Sequence, residues 1–262
     1  MSSHTETVLL RIDGPVAVVS LNRPERHNAF NDAMDIRFFE VLAEVRERDD
    51  IRCILWRGEG KSFSSGRDTK ELGFRAKGES DLEFIEAGHR RTTMLWTMPV
   101  PIVAALKGYA LGGGFERALL CDIRIASSDT RMALPEVGHG VIPDSGGTAR
   151  LFQMAGHGLA ADMALTGRVI TADEALQHGI VSRVVAPEKL DEESLALAHE
   201  IARRSPLAVK FSREVLSGLA TPEVERSMHE EKMAQTVIFA SEDYRELKAA
   251  RTEDREPKFR GR

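Results

Sequence analysis

With 262 residues, 42% hydrophobic and 29% charged, the chain has the composition of a soluble globular protein, and its length suits one large domain or a domain with a smaller appendage, with a core that needs no disulfides. Thirty-six Lys and Arg against 41 Asp and Glu leave a net charge of −5, the wrong sign for a protein that lives on nucleic acid or on an anionic membrane surface. The longest apolar run, residues 100–106, is far short of the roughly 20 residues that cross a bilayer.

Neither a secretory signal nor a transit peptide is legible at the N-terminus, and Cys53 and Cys121 sit in apolar segments as expected of buried reduced thiols. A cytoplasmic protein without disulfides or a metal site is expected.

Two runs rich in β-branched residues, 7–11 and 16–21, flank Asp13-Gly14 and predict a β-hairpin. Over residues 32–48, Met34, Phe38, Val41, Leu42 and Val45 recur at helical spacing, predicting an amphipathic helix that leads into a buried strand at 51–56. A loop rich in Gly and Ser, 58–67, precedes a short helical stretch and a helix over 81–97. A strand at 101–106 follows; Gly112-Gly113-Gly114 then opens a helix through Leu119, and a strand at 123–126 comes next. Gly138, Gly140 and Pro143 lead into Asp144-Ser145-Gly146-Gly147-Thr148 and another helix, to Met154. Such units of strand, glycine loop and helix, recurring every roughly 40 to 50 residues, allow a coiled stack of sheet and helix. After a capping box at Thr171-Ala-Asp-Glu174 and a strand at 180–185, four helices are predicted at 187–204, 206–219, 222–240 and 242–252. The expected division is a core over 1–190 and a helical region over 191–262 that packs on the core or on a neighbouring subunit.

Several chemistries lose support at once. The chain has no phosphate-binding P-loop and no Gly-x-Gly-x-x-Gly after a strand. His199-Glu200 lacks the second His of a zinc protease, and Ser64, Ser65 and Ser145 lack a nucleophile elbow. What remains is a set of glycine loops at helix starts, each accompanied by an acid. Gly112-Gly113-Gly114 places unhindered backbone where helix N–H groups lack partners and the macrodipole is positive, a setting that favours an oxyanion. Glu116 follows in what reads as the first turn, where an isolated acid complements the dipole. Glu136 and Asp144 recur in comparable settings, Asp144 read alone being an N-cap.

Six stretches then resemble one family in register. They are Leu21-Asn-Arg-Pro-Glu-Arg-His-Asn-Ala29, Ser62-Phe-Ser-Ser-Gly-Arg-Asp68, Gly108-Tyr-Ala-Leu-Gly-Gly-Gly-Phe-Glu116, Cys121-Asp-Ile-Arg-Ile-Ala-Ser127, Pro135-Glu-Val-Gly138 and Ile142-Pro-Asp-Ser-Gly-Gly-Thr-Ala-Arg-Leu151. Together they resemble the enoyl-CoA hydratase/isomerase (crotonase) family. The resemblance implies an α/β fold, a crotonase-like spiral of repeated ββα units with a helical C-terminal region that makes trimers or hexamers. It also implies acyl-CoA thioester substrates and no separate cofactor, coenzyme A being part of the substrate.

Carried onto this chain, the family's oxyanion amides fall on the N–H groups of Arg67 and Gly113, and its acid/base pair falls on Glu116 and Glu136. Ser65, Gly66, Asp68, Gly112 and Asp144 fall at the substrate site. Water addition to a 2-enoyl-CoA is the implied reaction. The alternatives are a Δ3,Δ2-enoyl-CoA isomerase, with Asp144 a candidate participant, and a non-catalytic CoA-ester or RNA-binding relative. The chain departs from the family pattern at Asp144, Arg67 and Arg117. The two guanidiniums have a CoA phosphate, a substrate carboxylate, Asp68 or Asp144 as possible partners.

Overall fold

In the computed structural model, which describes residues 6–70 and 78–262, the predicted hairpin forms from β1 (Val8–Asp13) and β2 (Val16–Leu21), antiparallel with Val8 opposite Leu21. Gly14 supplies the positive φ of 55° that the turn requires. From β2 onward the sheet is parallel, through β3 (Cys53–Gly58), β4 (Ile102–Leu106), β6 (Ile123–Ser127) and β9 (Arg183–Val185), in the order β1-β2-β3-β4-β6-β9. A second sheet has the order β5-β7-β8, from β5 (Tyr109–Leu111), β7 (Arg131–Ala133) and β8 (Ile170–Thr171).

The two sheets are filled alternately as the chain advances. β4 and β5 lead to helix α4 (Gly112–Leu119), and β6 and β7 to α5 (Gly147–Thr166). After β3 the chain places Ser64 in a parallel bridge with Ala110 of β5 before reaching α2 (Asp81–Thr92). The recurring strand, glycine loop and helix of the sequence are therefore successive ββα turns of a spiral. Each glycine loop falls where the chain passes from the second sheet to a helix.

Burial on both faces explains why the strands read as unbroken apolar runs. Ile54, Trp56, Ile102 and Ala104 face the main core with α1 (Asp32–Arg46), where Phe38 lies 4.6 Å from Trp56 and Phe63 4.8 Å from it, ring centre to ring centre. The alternate residues Cys53, Leu55, Val103 and Ala105 face Leu197 and Ala198 of α7 (Leu190–Ala202). The remaining helices are α3 (Met94–Thr97), α6 (Ala172–Gln177), α8 (Pro206–Ala240) and α9 (Glu242–Thr252). No helix among the described residues is long and apolar enough to cross a membrane.

Two boundaries refine the sequence reading. The helix expected to stop at Met154 does break there, at Gly156 (φ 76°, ψ 170°), before α5 resumes. The two helices expected on either side of Pro222 are one 35-residue helix, α8. An interior proline costs about 3 kcal/mol, which tertiary packing outweighs here: Arg213 on one side of Pro222, and Val224 and Met228 on the other, are buried.

Arg213 shows how that packing is secured. Its Nε donates to Asp122 at 2.8 Å, Nη1 to the Met98 carbonyl at 2.5 Å and Nη2 to the Leu95 carbonyl at 3.1 Å. Asp122 also accepts from the Ile102 amide at 2.8 Å. Arg213→Ala leaves the half-buried Asp122 carboxylate with only the Ile102 amide and two buried carbonyls without their donor, and is expected to cost about 2 kcal/mol or more, read as a lower urea midpoint at unchanged slope.

Candidate active site

Three backbone segments meet at the start of α4. Leu111 precedes the helix in an extended conformation and gives it no side-chain cap, so the first-turn N–H groups, that of Gly113 included, are left without an intrahelical or side-chain acceptor. Alongside runs residue 66, held by a hydrogen bond from the Phe30 amide to the Gly66 carbonyl at 2.8 Å, with the Asp68 amide donating to the Phe30 carbonyl at 2.8 Å. Gly66 has φ 89°, and a Cβ on it would lie 2.9 Å from the Leu111 oxygen and 3.5 Å from the Gly113 nitrogen. Only glycine permits this approach, which brings the backbone before Arg67 against the first turn of α4.

The two glutamates join this junction from different units. Glu116 lies in the second turn of α4 rather than the first, is 1% exposed, and accepts a hydrogen bond from the Ser145 amide at 2.9 Å. Gly147 lies directly against it: a Cβ there would be 2.6 Å from both Cβ and Cγ of Glu116. Glu136 opens the 3-10 turn Glu136–His139 after β7 and reaches over Gly112, whose added Cβ would lie 2.9 Å from Glu136 Oε1. Its Oε2 is buried without a hydrogen-bond partner among the described residues. Both line one cavity of about 150 Å3, together with Gly113, Arg67, Asp144 and Ser145. Ser65, Gly66, Asp68 and Gly112 are not among the residues lining it.

Burial, then the charges of Glu136, Asp144 and Glu231, push the Glu116 carboxyl well above its ordinary range, against the opposing Ser145 hydrogen bond. Burial, with a further push from Asp144, raises Glu136 to about 8. Two neighbouring carboxyls whose proton affinities are raised toward neutrality, so that one can be ionised while the other holds a proton, are the equipment of general acid–base chemistry.

The raised Glu136 pKa also has a stability signature. Between the ordinary pKa of 4.5 and about 8, the folded chain keeps a proton that the unfolded chain has released, so stability falls as pH rises across that window. Glu136→Gln removes this term. The drop in Tm between pH 5 and pH 8 is expected to be about 5 °C smaller in the variant than in the wild type, read by differential scanning calorimetry.

Asp144 is not an N-cap: Gly146 caps α5, and the Asp144 carbonyl hydrogen-bonds His89 Nε2 at 2.5 Å. The two arginines singled out in the sequence pair with α1. Arg67 forms an ion pair with Asp32. Arg117 Nη2 lies 2.7 Å from Asp35 Oδ1, its guanidinium 4.7 Å from the centre of the Phe30 ring. Asp68 accepts from Arg23 Nη2 at 3.2 Å and from the Lys70 amide at 3.1 Å.

Sequence reasoning missed the contribution of α8. Glu231, 7% exposed, accepts from the Gly146 amide at 3.0 Å and from Ser227 Oγ at 2.8 Å, and Gln235 Oε1 accepts from the Ile142 amide at 2.9 Å. Burial pushes the Glu231 carboxyl up to about 7, the two hydrogen bonds opposing. The signal was present in the spacing: Val224, Met228, Glu231 and Gln235 form one helical stripe, and polar residues continuing an apolar stripe have something to hold.

Comparison with known proteins agrees with this architecture. Residues 11–262 match the family model described as enoyl-CoA hydratase/isomerase. The chain is 36% identical over 255 residues to the short-chain-enoyl-CoA hydratase of Clostridium acetobutylicum, covering 95% of each chain. It is 34% identical to the crotonyl-CoA hydratase of Syntrophomonas wolfei, covering 97% of this chain and 98% of that one. Among solved structures, an enoyl-CoA hydratase/isomerase from Pseudoalteromonas atlantica matches with a TM-score of 0.88 at 30% identity, over 97% of this chain and 100% of that one. The spiral of ββα units is the crotonase fold. The chain belongs to the enoyl-CoA hydratase/isomerase family.

Proposed function

We propose that the protein is an enoyl-CoA hydratase that adds water across the 2,3 double bond of a 2-enoyl-CoA. The observation that carries this reading is the pairing of buried Glu116 with the half-buried Glu136, whose Oε2 is buried, in one cavity with Gly113. In this mechanism the thioester oxygen accepts from the backbone N–H groups of Arg67 and Gly113, which stabilise the enolate as charge moves onto that oxygen. Two adjacent carboxylates repel, so the pair holds one proton, and the Ser145 N–H favours leaving the negative charge on Glu116. Glu116 accordingly takes a proton from water as the water oxygen bonds to Cβ. Glu136, raised to about 8, gives its proton to Cα. Proton exchange with solvent then restores the pair.

The reaction uses no cofactor, because coenzyme A arrives with the substrate. Purified protein incubated separately with crotonyl-CoA and with a 3-enoyl-CoA tests the reading. Hydration of crotonyl-CoA to the 3-hydroxy thioester is the expected result. Consumption of the 3-enoyl-CoA alone would instead identify an isomerase, with Asp144, which lines the same cavity, as the further acid.

The reading extends to assembly and location. Leu207, Phe211, Val215 and Leu219 form a stripe at four-residue spacing on α8, 56–77% exposed, and an apolar stripe of this kind supports burial against neighbouring subunits. A trimer, or a hexamer built from two, is expected by light scattering at micromolar concentration. Two free, buried cysteines support a cytoplasmic enzyme.

A further inference from the structure

Glycine in the interior of a helix weakens it, because glycine gives up more backbone freedom on ordering than any other residue. Gly88 lies well inside α2, away from the caps at Ser80 and Thr93. It is not among the glycines at positive φ, so no turn or cap requires it. Close packing does not require it either: among the described residues, no atom lies within 4 Å of a Cβ placed on it. The space that Gly88 leaves open belongs to the cavity shared by Glu116 and Glu136, which it lines.

Apolar side chains flank it. Phe84 and Ile85, one turn earlier, share its face of α2 and line the cavity, as do Val141, Ile142 and Phe239. Three ties hold α2 where it stands, on both sides of residue 88. Glu86 pairs with Lys232 of α8 at 2.9 Å, His89 Nε2 hydrogen-bonds the Asp144 carbonyl, and Arg91 Nε donates to Asp35 at 2.8 Å, so the helix is fixed against moving inward to close the gap. Apolar walls around an unfilled space forfeit dispersion contacts on that side, and an alkyl chain placed there restores them.

Volume limits the length of that chain. A cavity of about 150 Å3 holds a group of roughly benzene size, or about six carbons. We infer that Gly88 is a specificity-determining residue: the space beside it admits the alkyl carbons beyond the fourth of an uncharged enoyl-CoA of up to about six acyl carbons. The inference rests on the thioester reading of the site and names the substrate class for it.

Butyryl-CoA and hexanoyl-CoA share the CoA moiety and differ by two methylenes. Both are saturated, and calorimetric titration needs no turnover. The wild type is expected to bind hexanoyl-CoA about 10-fold more tightly than butyryl-CoA, the effect of burying two methylenes. Gly88→Val puts three carbons into the space and is expected to bring that ratio to about one. Gly88→Ala adds a single carbon and is expected to lower the ratio about 4-fold, the worth of one methylene, while Tm rises by about 2 °C because alanine favours the helix. Should the valine variant fail to fold, the alanine variant decides. A wild-type ratio near one, or a ratio that the folded variants leave unchanged, overturns the inference and leaves the hydratase reading standing. A lower Tm for Gly88→Ala shows residue 88 to be closely packed and overturns it equally. Failure to hydrate any enoyl-CoA, with the ratio shifting as expected, overturns the hydratase reading alone. Binding of neither thioester overturns both.

Discussion

Glu116→Gln is expected to lower kcat for crotonyl-CoA hydration by about 10²- to 10⁴-fold, with a much smaller change in KM, because a general acid–base group acts mainly in the transition state. The substitution isolates proton transfer cleanly. Glutamine keeps the volume of a side chain that is 1% exposed, and its Oε1 can still accept the Ser145 N–H, 2.9 Å from the native carboxylate. Gly147, against the Cβ and Cγ of residue 116, leaves that side chain little room to relocate. A Glu116→Gln variant with turnover within a few-fold of wild type, measured by loss of the conjugated thioester, would sink the two-carboxyl mechanism.

Gly113→Pro tests the amide rather than an acid, and is expected to reduce kcat by about 10²- to 10³-fold, the usual effect of removing one oxyanion donor. Residue 113 is the second of α4, and no atom lies within 4 Å of a Cβ placed there. A first-turn N–H takes no part in the helix ladder, so proline deletes the donor without deleting a helical hydrogen bond. Gly112, at φ 52°, tolerates the following proline better than a residue bearing a Cβ would. An unchanged circular dichroism spectrum with near-normal kcat would show that the Gly113 amide is not a donor in the reaction.

Much of this site was legible in the sequence because its parts are local. Gly112-Gly113-Gly114 opens a helix whatever surrounds it, and Glu116 is fixed relative to those glycines by helical geometry. The parallel strands were legible because burial on both faces leaves continuous apolar runs. What escaped depends on contacts remote in sequence. The Ser145 amide reaches Glu116 across 29 positions, and the Gly146 amide reaches Glu231 across 85, and no local pattern encodes either. Pro222 misled for the same reason: its local cost is real, but Val224 and Met228 are held by a core that forms from the other end of the chain. Asp35 lay among Met34, Phe38 and Phe39 on a buried face of α1, an acid in an apolar stripe whose meaning appears only when Arg91 and Arg117 arrive from two other helices.

The grip of α8 on residues 142–146 gives the last third of the chain a say in chemistry carried by the first two thirds. Glu231 and Gln235 hold the amides of Gly146 and Ile142, and the amide between them in sequence, that of Ser145, orients the Glu116 carboxylate. On the proposed mechanism, a newly synthesised chain therefore has both residues of the acid/base pair well before it has the support that fixes Glu116 in place. On that mechanism competence depends on the docked tail, and a molecule clipped within α8 is expected to lose the order of its Glu116 carboxyl before it loses its sheet.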